Sequence, residues 1–257
     1  MVDEAEAIAG ARALVTGASR IVVLAGAGIS TGSGIPDFRG PDGVWTKNPE
    51  AEMMSTFDVY VDDEGVRAAA WRHRADSPMW EASPNAAHRA LVDLERSGRL
   101  DLLVTQNIDG LHHAAEQDPG VVVEIHGNVR DVVCLSCDAR GPMDATIERV
   151  RAGEADPRCE TCGGILKSAT ISFGQALVAR DLERSFAAAE RCDLFIAVGT
   201  SLGVYPVAEL PRMARRNGAP LIIANAEPTP MDAMARYVLR GDLVEVLPAV
   251  LGGLEQV

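Results

Sequence analysis

Five short apolar runs, residues 21–25, 102–105, 121–125, 194–198 and 221–224, are rich in Val, Ile and Leu and lack polar alternation. Runs of that kind predict strands buried on both faces. Helical periodicity alternates with them. Residues 84–97 place Ala87, Leu91 and Leu94 on one side, with Ser83 expected as the cap and Gly98 as the stop. Residues 178–191 do the same with Leu182, Phe186 and Ala189, and an acidic-starting amphipathic helix is expected over 1–17. Strands alternating with helices predict an α/β fold, a parallel sheet covered on both faces, whose ligands bind beyond the carboxyl ends of the strands.

Two stretches break the rhythm. Residues 41–82 are small, acidic and Trp-containing, which suggests a helical insert, and residues 131–168 hold two cysteine pairs around a short polar helix near 147–152. A second, smaller lobe built from these insertions is the simplest architecture, so the expected division is 1–40, 83–130 and 169–257 against 41–82 and 131–168.

The length of 257 residues fits one large domain with insertions. The net charge of −13 argues against a polyanion binder, so no nucleic acid is expected. No stretch has the ~20 apolar residues of a membrane helix, and no signal peptide is evident, so a soluble cytoplasmic protein is expected.

Candidate chemistry gathers at the strand ends. After the first run comes Gly26-Ala27-Gly28-Ile29-Ser30, a turn able to approach a pyrophosphate at a helix N-terminus. It misses the G-x-G-x-x-G fingerprint, because Thr31 holds the sixth place, so a plain dehydrogenase is disfavoured and a ligand-free turn stays open. Asp37, Phe38 and Arg39 follow on a Pro-stiffened loop suited to covering a planar, charged leaving group, or merely exposed. Gln106-Asn107-Ile108-Asp109 follows the second run and His126-Gly127 the third. His126 is the best base candidate, since a neutral imidazole takes a proton near pH 7 without a large pKa shift. His88 reads as a packed histidine, His112 and His113 as capping or solvating a short helix, and His73 as surface.

Cys134/Cys137 and Cys159/Cys162 form two C-x-x-C pairs with 21 residues between them. Four thiolates close a tetrahedral shell, which predicts structural zinc, with redox dithiols as the alternative. Cys192 reads as a buried bystander. Gly199, Thr200, Ser201, Asn225, Ala226 and Glu227 follow later strands and suit nucleotide contacts, and Glu227 would repel a 2′-phosphate, favouring NAD over NADP.

Taken in order, GAGIS at 26–30, GIPDFRG at 34–40, QNID at 106–109, HG at 126–127, both cysteine pairs, GTSL at 199–202 and Asn225 resemble the sirtuins, NAD-dependent protein lysine deacylases. The resemblance spans residues 21–246. It implies a Rossmann-like domain, a small lobe of a helical module and a zinc ribbon, and an active cleft between them. It also implies that the acyl oxygen attacks C1′ of the nicotinamide ribose, nicotinamide leaves, and the alkylimidate collapses to O-acyl-ADP-ribose and free lysine. Carried over, His126 is the base, with Asn107 and Asp109 at the nicotinamide ribose and carboxamide. Phe38 shields the centre. Gly26, Ala27, Gly28, Ile29, Asp37, Arg39, Trp45, Gln106 and Ile108 belong to the cofactor pocket. The adenosine end falls to Gly199, Thr200, Ser201, Asn225, Ala226 and Glu227, with Asp242 and Leu243 near the adenine. The acyl-lysine peptide is expected as a strand between Ile171, Phe173, Gly174 and Gly203, Val204, Tyr205.

Two departures stand out. Gln175 replaces the family's Glu after Phe-Gly, and Trp71-Arg72-His73-Arg74 stands where succinyl- and malonyl-preferring members carry Tyr-x-x-Arg. The Arg is present and the Tyr is not, while residues 40–45 resemble branches without that preference, so acetyl is the expected group. Rival readings are ADP-ribosyl transfer or NAD hydrolysis from the same site, and a non-catalytic NAD-sensing or zinc-ribbon interaction module.

Overall fold

The computed structural model describes residues 3–41, 43–47, 50–254 and 256. Six parallel strands form the main sheet in the order β3-β2-β1-β7-β8-β9. They are β1 (Ile21–Ala25), β2 (Leu100–Thr105), β3 (Val122–Glu124), β7 (Leu194–Val198), β8 (Leu221–Ala224) and β9 (Tyr237–Leu239). Alternate residues of each strand enter opposite cores. Ile21, Val23, Ile196 and Ile222 pack with helices α1 (Glu4–Gly17), α6 (Ala86–Arg96) and α11 (Leu243–Leu251), whereas Val22, Leu24, Phe195 and Ile223 face α9 (Ala179–Arg191) and α10 (Leu210–Arg216). Each such Val, Ile, Leu or Phe contributes roughly 1.5–3 kcal/mol on full burial. Double coverage explains why the runs show no alternation of apolar and polar residues.

The second sheet is antiparallel, β5-β4-β6, from β4 (Gly127–Cys134), β5 (Arg140–Pro142) and β6 (Leu166–Thr170). It packs with α8 (Met143–Arg151), which in turn meets α5 (Glu64–Ala75) of the helical insert; the rest of that insert is α2 (Val44–Lys47), α3 (Glu50–Met53) and α4 (Phe57–Asp62). Trp71 and Ala75 of α5 share one small core with Val132, Met143, Ile147, Val150 and Leu166. The two insertions thus form one lobe. A buried ion pair joins them again, Arg67 Nε donating to Asp156 at 2.9 Å while its Nη1 donates to the carbonyls of Tyr60 and Val61.

Several expectations need correction. The first helix begins at Glu4, and Met1 and Val2 lie outside the described residues, as does Asp42 of the 40–45 stretch. Helix α6 is capped by Asn85, not Ser83: Asn85 Oδ1 accepts from the N–H groups of Ala87 and His88, and His88 Nδ1 accepts from the Asn85 N–H. The helix near 147–152 runs over Met143–Arg151 and is amphipathic, with Met143, Ile147 and Val150 buried. The glycine turn leads into two 3-10 turns, Ala27–Ile29 and Thr31–Ser33, so no long helix N-terminus points at a phosphate there. The edge strand β9 and helix α11 are additions.

Candidate active site

A cavity of about 1060 Å³ runs across the carboxyl ends of β1, β2, β7 and β8 and between the two lobes. Its floor is the glycine turn. A Cβ on Gly28 would stand 2.8 Å from Gly199 Cα, and Gly199 itself has φ +58°, so the two glycines let the ends of β1 and β7 close up beneath a ligand. Gly26, Ala27, Asp37, Phe38, Arg39, Trp45, Gln106, Asn107, Ile108 and His126 line the cavity with Gly199, Thr200, Ser201, Asn225, Ala226, Glu227, Asp242 and Leu243. At its other side stand Ile171, Phe173, Gly174, Val204 and Tyr205. Ile29 and Asp109 are not in the lining, and neither is Gly203; Ile29 is fully buried under the turn.

His126 is held from both sides of the cleft. Its Nδ1 lies 3.1 Å from the Gln106 carbonyl, an acceptor only, which places the proton on Nδ1 and leaves Nε2 as the free base. Gln106 in turn donates from Nε2 to Thr200 Oγ1 at 2.8 Å, and the His126 carbonyl accepts from the Ile171 N–H at 2.7 Å. Burial pushes the His126 pKa below the ordinary imidazole value, opposed by the Gln106 contact. The effect is to keep the ring neutral further into acid. Gly127 follows with a φ of +71°, where a Cβ would collide with the Ala169 carbonyl. Only glycine lets β4 leave the base at that angle.

Asn107 and Asp109 meet through a residue the sequence reading passed over. Ser30, 1% exposed, donates to Asp109 Oδ2 at 2.7 Å and accepts from Asn107 Nδ2 at 3.2 Å. Asp109 Oδ1 accepts from the Leu111 N–H at the start of α7 (Leu111–Ala114). Burial raises the Asp109 pKa, while the Leu111 and Ser30 bonds oppose that. Asn85 Nδ2 fixes the turn from below, donating to the Ile29 carbonyl at 2.8 Å and to Ser33 Oγ at 3.0 Å. The hydrogen-bonded chain from Ser30 was not legible because it pairs positions 77 and 79 apart.

Around the mouth, aromatic rings form a cluster of tilted pairs. Phe38 and Trp45 lie 4.7 Å apart, Trp45 and Phe173 5.5 Å, and the Arg39 guanidinium sits 4.6 Å over Trp45. The backbone of Phe173 is already bridged to residues 55–57, donating to the Ser55 carbonyl and accepting from the Phe57 N–H. Gln175, the first departure, turns its Oε1 inward to accept from the Ser172 N–H at 2.9 Å. Arg74, the second, also lines the cavity, packed over Trp71 at 5.2 Å.

Among the histidines, His73 is exposed. His112, expected to cap or solvate a short helix, is instead buried against His88 with ring centroids 5.0 Å apart. Burial depresses both pKa values, His88 to about 4 and His112 to about 3. Cys192 is buried, and burial pushes its thiol up to about 11.

The four other cysteines converge. Their sulfur atoms lie within 4.8 Å of one another, with Cys134–Cys162 at 3.5 Å and Cys137–Cys159 at 3.8 Å. Zinc–sulfur bonds of ~2.3 Å in a tetrahedron put neighbouring sulfurs about 3.8 Å apart, so the cradle fits that ion. Each C-x-x-C is followed by a left-handed residue, Asp138 at φ 57° and Gly163 at φ 73°, which curls two matching turns around the thiols. No fourth position is open to substrate. The cluster lies outside the residues lining the cavity.

Comparison with known proteins follows the same residues. The Sir2 family matches residues 26–206. "NAD-dependent protein deacetylase 2" of Streptomyces coelicolor is 49% identical over 240 residues, covering 93% of this chain and 100% of the relative. A solved Sir2 structure with a deacetylated p53 peptide and 3′-O-acetyl ADP ribose superposes with a TM-score of 0.88 at 33% identity, covering 95% of this chain and 96% of the other. Another, a Sir2 structure with p53 peptide and NAD+, gives 0.83 at 34% identity, covering 93% and 94%. By motif order, sheet topology and these matches, the chain belongs to the Sir2 family, the sirtuins.

Proposed function

We propose that this chain removes acetyl groups from protein lysine with NAD as co-substrate, giving nicotinamide, O-acetyl-ADP-ribose and free lysine. One observation carries the reading: a single cavity joins the glycine turn, His126 and Asn225–Glu227 to the segment from Ile171 to Gly174 and to Val204 and Tyr205. NAD supplies the electrophilic C1′ and accepts the acyl group. His126 Nε2 takes a proton from a ribose hydroxyl. Asn107 orients the nicotinamide ribose and carboxamide, with Asp109 steadying it through Ser30. Phe38 and Trp45 exclude water as nicotinamide departs, and Asn225 and Glu227 receive the adenosine end. The peptide extends along Ile171, Phe173 and Gly174 opposite Gly203, Val204 and Tyr205, read through main-chain bonds that tolerate varied sequence.

Residues 1–40, 83–130 and 169–257 make the cofactor domain under this reading, and 41–82 with 131–168 make the small lobe. Zinc held by Cys134, Cys137, Cys159 and Cys162 cross-links that lobe and takes no part in the chemistry. A cytoplasmic location accords with thiols kept reduced and free for metal. With its negative charge, the chain is read as acting on acyl-lysine proteins and not on nucleic acid or membrane; no helix of the described residues is long and apolar enough to cross a membrane.

One side chain favours a second reading of the acyl group. Arg74 faces the cavity and its buried Nη1 has no hydrogen-bond partner among the described residues, so a carboxylate-bearing acyl chain would satisfy it. Burial lowers the Arg74 pKa, and the neighbouring Tyr60 opposes that shift. A single assay addresses both readings: acetyl- and succinyl-lysine peptides with NAD, following nicotinamide and O-acyl-ADP-ribose together. Equimolar products from the acetyl peptide, and a loss on the order of 10²–10⁴-fold in His126→Ala, are expected. NAD consumption without deacylation assigns the site to ADP-ribosyl transfer or NAD hydrolysis, and faster turnover of the succinyl peptide moves the substrate to acidic acyl groups.

A further inference from the structure

Two loops wall the adenosine end of the cavity, Asn225 to Glu227 after β8 and Gly241 to Leu243 after β9. Ala226 and Glu227 are exposed, so apolar packing does not set their shape. Polar contacts do, and they converge on one side chain that is itself outside the lining. Arg240 Nη1 donates to the Asn225 carbonyl at 2.6 Å and to the Glu227 carbonyl at 2.9 Å, and Nη2 pairs with Asp232. Asp232 is braced in turn, accepting from Thr229 Oγ1 at 2.7 Å and from the Thr229 N–H at 3.2 Å. Asn225 Nδ2 donates to the same Glu227 carbonyl at 2.8 Å, and the Asn225 N–H donates to the Leu239 carbonyl at 3.1 Å, tying the loop to the strand that leads into Arg240.

A planar guanidinium can fork to two carbonyls and a carboxylate at once; an ammonium cannot hold that geometry. We propose that Arg240 is a positioning residue for the nucleoside end of NAD. It fixes the backbone of Asn225 and Glu227 so that the Asn225 Oδ1 and the Glu227 carboxylate stand ready for the adenosine ribose hydroxyls. This rests on the NAD reading above, but the role of Arg240 is separable from it. Arg240 touches neither the acyl-lysine side of the cavity nor His126.

The test uses zinc-loaded wild type, Arg240→Met and Arg240→Lys. Steady-state kinetics with an acetylated peptide, calorimetry with ADP-ribose and thermal melting are compared. Loss of charge-assisted bonds predicts a KM for NAD and a Kd for ADP-ribose raised roughly 10-fold in Arg240→Met, with Arg240→Lys between it and wild type. The kcat at saturating NAD, the peptide KM and inhibition by nicotinamide stay within about 2-fold, because the interaction acts equally on ground and transition states. A KM for NAD within about 2-fold of wild type overturns the proposal, as does a parallel fall of kcat and peptide affinity with melting temperature. If Arg240→Met fails to fold, Arg240→Lys carries the same comparison, and failure of both to fold assigns Arg240 to the scaffold and overturns the proposal. Wild type that binds no ADP-ribose overturns the NAD reading itself.

Discussion

Among the described residues, the large domain joins 26 buried hydrophobic residues on one face of its sheet and 20 on the other, whereas the small lobe joins nine, two of them cysteines. Apolar burial alone can hold the first. The second lacks the area for that and is stapled instead, by four thiols around an ion and by the Arg67–Asp156 pair buried at 6% exposure on each side. The difference has a functional side. Groups that line the cavity from the sheet stand on strand ends fixed by the large core, while segment 55–57, which is bridged to Phe173, belongs to the stapled lobe. The two lobes therefore fail under different insults.

Metal removal tests that most severely. Zinc in a site of four thiolates contributes on the order of 10 kcal/mol or more to folding. Chelation, or Cys134→Ser, is expected to abolish deacetylation and to expose the amides of β4, β5, β6 and α8 to hydrogen exchange, while β1, β2, β7 and β8 keep their protection. Uniform loss of protection across both lobes would show that the domains are one cooperative unit, and retained activity without metal would remove the staple from the account.

Acid reverses the target. His88 and His112 are buried and neutral in the folded large domain, with pKa values of about 4 and about 3 against 6.5 unperturbed. Below pH 6.5 the unfolded chain therefore binds more protons than the folded one, so stability is full above that pH and falls as pH drops, through about 4 for His88 and about 3 for His112. Two protons give a slope of about 2.7 kcal/mol per pH unit near pH 5, and His126, shifted in the same direction, adds to it. Denaturant titrations across pH 7 to 5, with zinc occupancy monitored, should show that slope; His112→Leu should roughly halve the contribution of the pair. A flat profile sinks the assignment of neutral buried histidines.

Much of the large domain was legible because its strands are buried on both faces. Three of the five, β1, β7 and β8, have the bounds their apolar runs predict. Strand β9 was not, since it is three residues long at the sheet edge with only Leu239 buried. Helix α11 hid behind Pro248, which sits inside it. The site followed the same rule. His126, the quartet and the glycine turn announce themselves by standing directly after strands, and the thiols by their spacing. Ser30, Asn85 and Arg240 do not, because their residue types are common on any loop or cap and no local spacing marks their partners, which lie 79, 56 and 15 positions away. The cap shifted from Ser83 to Asn85 for a local reason: Asn85 has His88 three residues on, able to return the bond, which Ser83 lacks.

The buried ion pair gives the most discriminating test of the stapled lobe. Arg67 and Asp156 are paired away from water, and removing one partner of such a pair leaves an uncompensated charge costing roughly 3–5 kcal/mol. The two truncations should differ. Asp156 has a second cation, Arg158 at 2.7 Å, so Arg67→Ala leaves it partly compensated and should fall near the lower bound. Asp156→Ala leaves Arg67, 5% exposed, with the carbonyls of Tyr60 and Val61 but no carboxylate partner among the described residues, and should fall near the upper. Replacing both, Arg67→Met with Asp156→Leu, removes the desolvation cost along with the attraction and should recover most of the loss. Hydrogen exchange localises these effects: α5 and the segment around Arg158 should lose protection while the large sheet does not. Equal losses for the two single variants, or a double variant worse than either, would mean that the pair is held by its neighbours and does not itself hold the two insertions together.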